Sequence, residues 1–213
     1  MKVKVEITGG RMMQNCYFAI EDNTNNAIII DPGADAKMLI DTIEKEKINL
    51  KYIVLTHGHF DHIGACKEIK EKYNAPIVIC EGEELLIEHA ENNLSHMINT
   101  KIELKADIVL KDNDIFKFGD SLSFKALKTP GHTPGGMCLY FENENVLFSG
   151  DTLFYGSIGR TDFPYGSSED LIKSLNRLKE LPDNTVVYSG HGDKTTIGTE
   201  KNINPYMGDR YEY

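Results

Sequence analysis

The stretch THGHFDH, residues 56–62, holds the densest group of reactive side chains in the sequence. It places three of the seven histidines and one aspartate within six consecutive positions. Imidazole and carboxylate groups suit zinc, iron or manganese, and the absence of a thiolate argues against a structural zinc site. Core or surface packing alone gives no reason for so many metal-capable groups together. The stretch therefore predicts a metal site.

The spacing within this stretch indicates two metals. Residues i and i+2 face apart on a helix, so His57 and His59 can share a metal only if Gly58 lies in a turn or an extended loop. Asp61 and His62 come near the start of the next predicted helix, and they would point elsewhere, toward a second metal. The positive end of that helix also favours the carboxylate of Asp61.

Three further ligand candidates lie in loops rich in glycine and proline. They are His132 in TPGHTPGG, Asp151 in SGD and His191 in SGHG. The flanking glycines let the backbone turn sharply enough to present a side chain into a cleft. Each loop follows a predicted strand, as residues 56–62 do. The four groups could therefore converge at one edge of a packed sheet, although they are far apart in sequence.

The elements that must position these side chains mix strands with helices. Strands are predicted at residues 3–8, 17–21, 27–31, 52–55, 77–80, 108–110, 115–118, 121–127, 137–141, 146–148 and 185–188. Helices are predicted at residues 34–47, 62–73, 83–91, 168–181 and after Thr196. Two packed sheets with helices outside are expected, in one domain over residues 1–213. The weakly periodic residues 92–105 are a candidate mobile covering loop.

Composition argues against several classes of function. The chain has 213 residues, of which 40% are hydrophobic and 26% charged, as is typical of a soluble globular protein. Its net charge of −10 opposes binding to nucleic acid or to an anionic membrane. Because it shows no membrane-spanning run and no secretory signal, a cytoplasmic location is expected. The four cysteines have no CxxC spacing, which argues against a disulfide framework.

The ordered set HGHFDH, His132, Asp151 and His191 resembles the metallo-β-lactamase superfamily over essentially the whole chain. The resemblance implies an α+β fold, the αββα sandwich, in which two mixed β-sheets pack face to face with helices outside. It also implies a binuclear metal site, with two zinc ions per chain and iron or manganese as alternatives. The implied ligands are, for the first metal, His57, His59 and His132; for the second, Asp61, His62 and His191; and for both, the bridging Asp151.

The segments GDTLFYGSIGRTDFP and GHGDKTTIGTEKNINP resemble the short, stand-alone relatives of glyoxalase II, the hydroxyacylglutathione hydrolases. The resemblance implies hydrolysis of a small thioester by a hydroxide that bridges the two metals, with Asp61 and Asp151 as catalytic residues. A thiolate leaves readily because its conjugate acid has a pKa of about 8.5. Arg160 is expected to bind a substrate carboxylate, and an ion pair with Asp162 is the equal alternative.

Other branches of the superfamily remain open. A persulfide dioxygenase branch shares the GRTDF segment, and resemblance to it implies a single iron held by the residues His57, His132 and Asp151. Lactam hydrolysis and nuclease activity are less favoured, the nuclease because of the net charge of −10. Asp162 and Asp193 stand where glyoxalase II tends to place aromatic residues, so the carrier thiol stays open, as does the oligomeric state.

Overall fold

The computed structural model describes residues 1–208, which form two six-stranded sheets. The first sheet contains, in spatial order, β1 Lys2–Thr8, β2 Gln14–Ile20, β3 Asn26–Ile30, β4 Asn49–Val54, β5 Ile77–Cys80 and β6 Ile108–Leu110. The second contains, in chain order, β7 Ile115–Lys117, β8 Ser123–Lys128, β9 Met137–Phe141, β10 Val146–Gly150, β13 Val186–Ser189 and β14 Thr195–Thr196. Its spatial order is β14-β13-β10-β9-β8-β7. Between β10 and β13, the short strands β11 Leu153–Phe154 and β12 Ser157–Ile158 pair as a separate hairpin.

The helices of the described residues lie between these strands in the chain. They are α1 Ala36–Lys45, α2 Phe60–Ile63, α3 Cys66–Tyr73, α4 Glu84–Glu88, α5 Ser168–Lys179 and α6 Ile197–Ile203. Two 3-10 turns, Gly10–Met12 and Ser95–Ile98, complete the regular structure. Ser167 caps α5, since its side chain accepts a hydrogen bond from the Asp170 backbone N–H at 3.2 Å. Thr196 caps α6 in the same way.

The packing explains the apolar run of β3. Ile28 and Ile30 face the second sheet, whereas Ile29 faces the helices on the outside, and all three are fully buried. A strand covered on both faces has no polar alternation, as expected for the parallel part of a sheet. The outer face of the second sheet is covered by the apolar residues of α5, Leu171, Leu175 and Leu178. The predicted αββα sandwich of two mixed sheets is confirmed.

Strand direction brings the loops predicted to carry chemistry to one edge. β3 and β4 are parallel, so Asp31 lies beside residues 55–62. β10 and β13 are also parallel, which puts Asp151 beside His191. β8 runs in the same direction as β10, because both pair antiparallel with β9, and the loop after β8 carries His132. The Met137 N–H at the start of β9 donates to the Thr56 carbonyl at 2.9 Å, so the loops of both sheets meet at the same end.

The helix predicted over residues 62–73 is wrong in one respect, because the structure contains two helices, α2 and α3, separated near Gly64. The backbone N–H of Ala65 donates to the Pro32 carbonyl at 2.9 Å, outside the helical pattern. A Cβ atom at Gly64 would lie 2.2 Å from the carbonyl oxygen of Gly33. The loop after β3 thus packs directly against this part of the chain and interrupts the helix.

Residues 92–105, the predicted covering loop, are held at their start by hydrogen bonds of Asn93. Asn93 is fully buried, and its carbonyl accepts a hydrogen bond from the Phe60 N–H at 2.9 Å. Its side chain donates to the Ile102 carbonyl at 2.8 Å and accepts from the Ser95 N–H at 3.0 Å. The segment is therefore attached to the start of α2. Its mobility stays a prediction.

Two expectations from composition can be compared with the structure. The four cysteines, for which no disulfide framework is expected, are all buried and free in the structure. Among the helices of residues 1–208, none combines the length and apolar character needed to cross a membrane.

Candidate metal centre

The chain between β4 and α2 supplies side chains in two directions. Residues 55–59 are not helical, and His59 has extended backbone, with φ −67° and ψ 150°, directly before α2. His57 and His59 therefore project from a non-helical turn, as their spacing predicts. Asp61 and His62 lie on α2 itself. This short segment therefore contributes side chains to two separate groups.

The first group consists of His57, His59 and His132, whose candidate ligand nitrogens all lie within 4.8 Å of one another. His59 Nδ1 is 2.9 Å from His132 Nε2. His132 Nδ1 donates to the Arg160 carbonyl at 2.7 Å, which leaves Nε2 as the acceptor that faces the group. Burial lowers the pKa of His57 and also lowers that of His59, to about 3, with help from neighbouring imidazoles. Both rings are therefore neutral, which is the form that binds metals.

The second group consists of Asp61, His62 and His191, again with ligand atoms within 4.8 Å of one another. His191 Nε2 is 3.3 Å from Asp61 Oδ2, and His62 Nε2 is 4.0 Å from the same oxygen. Burial alone would raise the pKa of Asp61, but His62 and a hydrogen bond from His191 lower it below its usual value. The group therefore combines two imidazoles with an ionised carboxylate.

Asp151 lies between the two groups. Its Oδ1 is 3.4 Å from His62 Nε2, and its Oδ2 is 3.6 Å from His132 Nε2 and 3.8 Å from His191 Nε2. Burial opposes ionisation of this carboxyl, but His62, His132 and His191 together outweigh burial and hold its pKa well below the usual range. An ionised carboxylate that reaches histidines of both groups could bridge two cations.

Unsatisfied buried atoms show that this donor set fits metal ions. His57 Nε2, His62 Nε2 and Asp151 Oδ1 are buried and have no hydrogen-bond partner. Only Tyr73 Oη and Thr185 Oγ1 share this state among the side-chain atoms of the described residues. A buried polar atom without a partner costs about 1–3 kcal/mol, so three of them facing one space need an explanation. Nitrogen and oxygen donors together fit zinc, iron or manganese.

Asp31 is a part of the site that sequence reasoning did not select. It is buried and directly follows β3. Its carboxylate accepts hydrogen bonds from His62 Nδ1 at 2.9 Å, from the Thr56 N–H at 2.7 Å and from Thr56 Oγ1 at 2.6 Å. Its ligand atom also lies within 4.8 Å of those of His57 and His62. Three donors already occupy its oxygens, so its role is to orient His62, with Nε2 turned toward the second group.

We expect Asp31→Asn to weaken metal binding by roughly 10- to 100-fold, the usual effect of removing a carboxylate that supports a ligating histidine. The amide offers one acceptor oxygen for three donors. A competition titration of zinc against a chromophoric chelator would measure the change. Asp35→Asn is the matched control, because Asp35 is exposed at the other end of the same loop and its carboxylate accepts a hydrogen bond from the Gly9 N–H. Equal zinc affinity in the two variants would contradict the role of Asp31.

Arg160 lies at the rim of the histidine groups. Its guanidinium donates to Asp162 through Nε at 2.6 Å and Nη2 at 2.7 Å, and it stacks 3.9 Å from the centre of the Phe163 ring. Phe163 in turn packs edge-on against His59, with ring centres 5.6 Å apart. The ion pair with Asp162, predicted as one of two alternatives, is present. Both of its side chains are more than half exposed, so it stabilises the fold little.

Known proteins are similar to this chain in sequence and in fold. GloC of Haemophilus influenzae, named a hydroxyacylglutathione hydrolase, is 40% identical over 201 residues, covering 92% of this chain and 94% of its own. The crystal structure of BLEG-1, a B3 metallo-β-lactamase, has a TM-score of 0.91 and 37% identity, over 97% of this chain and 99% of that one. TTHA1623, crystallised in a di-iron-bound form, has a TM-score of 0.85 and 32% identity, over 95% and 99%.

The family model described as the metallo-beta-lactamase superfamily matches residues 9–191. The match begins directly after β1 and ends at His191, so it includes the strands from β2 to β13 and every loop that carries a clustered histidine. The position of these loops at one edge and the match to the family model lead to the same assignment. The chain belongs to the metallo-β-lactamase superfamily, as its motifs predict.

Proposed function

We propose that this protein is a metal-dependent hydrolase that cleaves a small hydroxyacyl thioester. The observation that carries the proposal is the position of Asp151, which lies within 3.8 Å of histidines in both ligand groups. A pair of metal ions bound there would supply a hydroxide nucleophile from water at neutral pH and would polarise the substrate carbonyl. The name of GloC supports a hydroxyacyl thioester as the substrate class.

The proposal assigns the seven clustered side chains as ligands. The first metal would be held by His57, His59 and His132, the second by Asp61, His62 and His191, and Asp151 would contact both. Two zinc ions per chain are the proposed cofactors. The di-iron form of TTHA1623 supports iron as the alternative. Manganese also suits these ligands.

The chain's own residues provide charge and orientation for this reaction. Asp61 and Asp151 are both ionised, since their histidine neighbours hold each pKa below its usual value. We assign them as the catalytic residues, because a carboxylate at this position accepts a hydrogen bond from the attacking water and orients it. The departing thiolate has a conjugate acid pKa of about 8.5 and needs no proton to leave, so the reaction requires no general acid.

Arg160 is proposed to bind a carboxylate of the substrate. Its pair with Asp162 is exposed and can exchange with a substrate anion at little cost. We expect Arg160→Met to raise KM for an anionic thioester roughly 3- to 10-fold with little change in kcat, the effect of one solvent-screened, charge-assisted hydrogen bond. Lys173→Met, which removes a similarly exposed cation on α5, is the control. An unchanged KM would contradict substrate binding by Arg160 and leave the ion pair with Asp162 as its role.

Direct comparison of substrates tests the proposed function. The metal-loaded protein is given lactoyl thioesters of two different thiols, a chromogenic β-lactam and a glutathione persulfide. Release of thiol from a thioester at a higher kcat/KM than lactam opening supports the proposal. Faster lactam opening would favour the second candidate, lactam hydrolysis, which the similarity to BLEG-1 supports. Oxygen uptake with the persulfide and no thioester cleavage would favour the dioxygenase.

A further inference from the structure

A second buried carboxylate, Glu83, lies between the loops that carry the first ligand group. It directly precedes α4 and is completely inaccessible to solvent. Its Oε1 accepts a hydrogen bond from the Gly58 N–H at 2.8 Å. Its Oε2 accepts from Thr133 Oγ1 at 3.0 Å and from the Gly135 N–H at 2.9 Å. One side chain therefore joins the turn after β4 in the first sheet to the loop after β8 in the second.

The donors to Glu83 are immediate neighbours of the first ligand group. Gly58 stands between His57 and His59, and Thr133 follows His132. Glu83 packs closely against the loop that carries His132, since a Cβ atom at Gly135 would lie 2.3 Å from the backbone nitrogen of Glu83. The hydrogen bonds of Glu83 go to the backbone of Gly58 and Gly135 and to the Thr133 hydroxyl, so they fix the backbone that carries the ligands.

Burying this carboxyl is costly, which implies that the three hydrogen bonds matter. Burial raises the pKa of Glu83 to about 7, although all three donors act to lower it. A buried acid that loses its partners destabilises the structure around it. Glu84, the next residue, only accepts from the Gly82 N–H near the surface. The two adjacent glutamates therefore have very different surroundings.

We propose that Glu83 is a positioning residue for the first metal site, because it sets the distance between the turn of His57 and His59 and the loop of His132. Asp31 has the corresponding role for the second site through its hydrogen bond with His62. Each buried carboxylate would then control the affinity of a different metal. The inference rests on the binuclear site in the proposed function.

Variants that lack a ligand of one metal site allow zinc affinity to be measured at the other site alone. Asp61→Ala removes a ligand of the second site and leaves the first, whereas His59→Ala does the reverse. Into each background we would introduce Glu83→Gln, whose amide keeps one acceptor oxygen but cannot accept on its nitrogen. Zinc affinity is then measured on metal-free protein by competition with a chelator, without any assay of activity. Glu84→Gln in each background is the matched control.

Glu83→Gln is expected to weaken zinc binding by roughly 10- to 100-fold in the Asp61→Ala background and by less than about 3-fold in the His59→Ala background. Thr133→Val removes one of the three hydrogen bonds and should give a smaller loss in the same background only. This second variant answers the question if Glu83→Gln fails to fold. Equal losses in both backgrounds, or no loss in either, would overturn the inference.

The outcome separates this inference from the proposed function. If thioesters are not cleaved but Glu83→Gln selectively weakens the first site, the function fails and the inference stands. If thioesters are cleaved and Glu83→Gln binds zinc normally in both backgrounds, the inference alone fails.

Discussion

Asp151→Ala is expected to reduce thioester hydrolysis by more than about 100-fold and to lower the metal content of the protein. Removing a residue that only supports a ligand typically costs 10- to 100-fold, and Asp151 lies between both ligand groups. The substitution also removes a negative charge that faces three imidazoles. Without that charge the site attracts metal cations less strongly.

Two measurements on the same preparation check this prediction: kcat/KM for a hydroxyacyl thioester and metal per chain by elemental mass spectrometry. Asp193→Ala is the control, because Asp193 is an exposed aspartate in the loop that carries His191. It should keep both metal content and activity. A fully active Asp151→Ala protein that retains its metal would refute the assignment of Asp151.

Gly190→Ala is expected to abolish hydrolysis while the protein still folds. A Cβ atom at this position would lie 2.3 Å from Asp151 Oδ1 and 2.6 Å from His62 Cε1, closer than real contacts allow. The backbone cannot withdraw easily, because the Gly190 N–H donates to Gly150 and its carbonyl accepts from the Asn15 N–H. The ligands would have to move instead, and activity should fall by at least about 100-fold.

Gly192→Ala separates this clash from backbone strain. Gly192 has φ +73°, and a Cβ atom there would meet no other atom within 4 Å. The strain of a left-handed alanine is about 1 kcal/mol, so this variant should lose some thermal stability but bind metal normally. Thermal unfolding, metal content and kcat/KM would be measured for both variants. Normal metal content and activity in Gly190→Ala would contradict the geometry described for the site.

The position of the site could be predicted from sequence because each clustered side chain follows a strand. His132, Asp151 and His191 are separated by tens of residues, yet parallel strand directions bring their loops to one edge. Glycine beside each of them marked a sharp turn. The fold and the family were predicted from the same residues, and the structure and the comparisons confirm both.

The supporting carboxylates could not be predicted in this way. Asp31 and Glu83 are two of 33 acidic residues, and neither belongs to a histidine-containing motif in the sequence. Their roles depend on hydrogen bonds to Thr56, His62, Gly58 and other residues distant in the chain. A carboxylate directly after a buried apolar strand, as in the case of Asp31, was the only signal available.

Sequence patterns did not predict local structure at places where contacts between distant parts of the chain determine it. The strands β11, β12 and β14 have two residues each, too few to show an alternating pattern. The break between α2 and α3 arises from contact of Gly64 and Ala65 with the loop after β3, which no local propensity reveals. The helical pattern of residues 62–73 is real, but packing divides it.

Metal per chain, measured by elemental mass spectrometry on protein expressed with zinc and iron both supplied, tests the binuclear site most directly. The structure leads us to expect nearly two metals per chain, falling to one when Asp61 or His62 is replaced by alanine. A single iron per chain, unchanged by either substitution, would contradict the two-metal hydrolase and favour a mononuclear oxygenase.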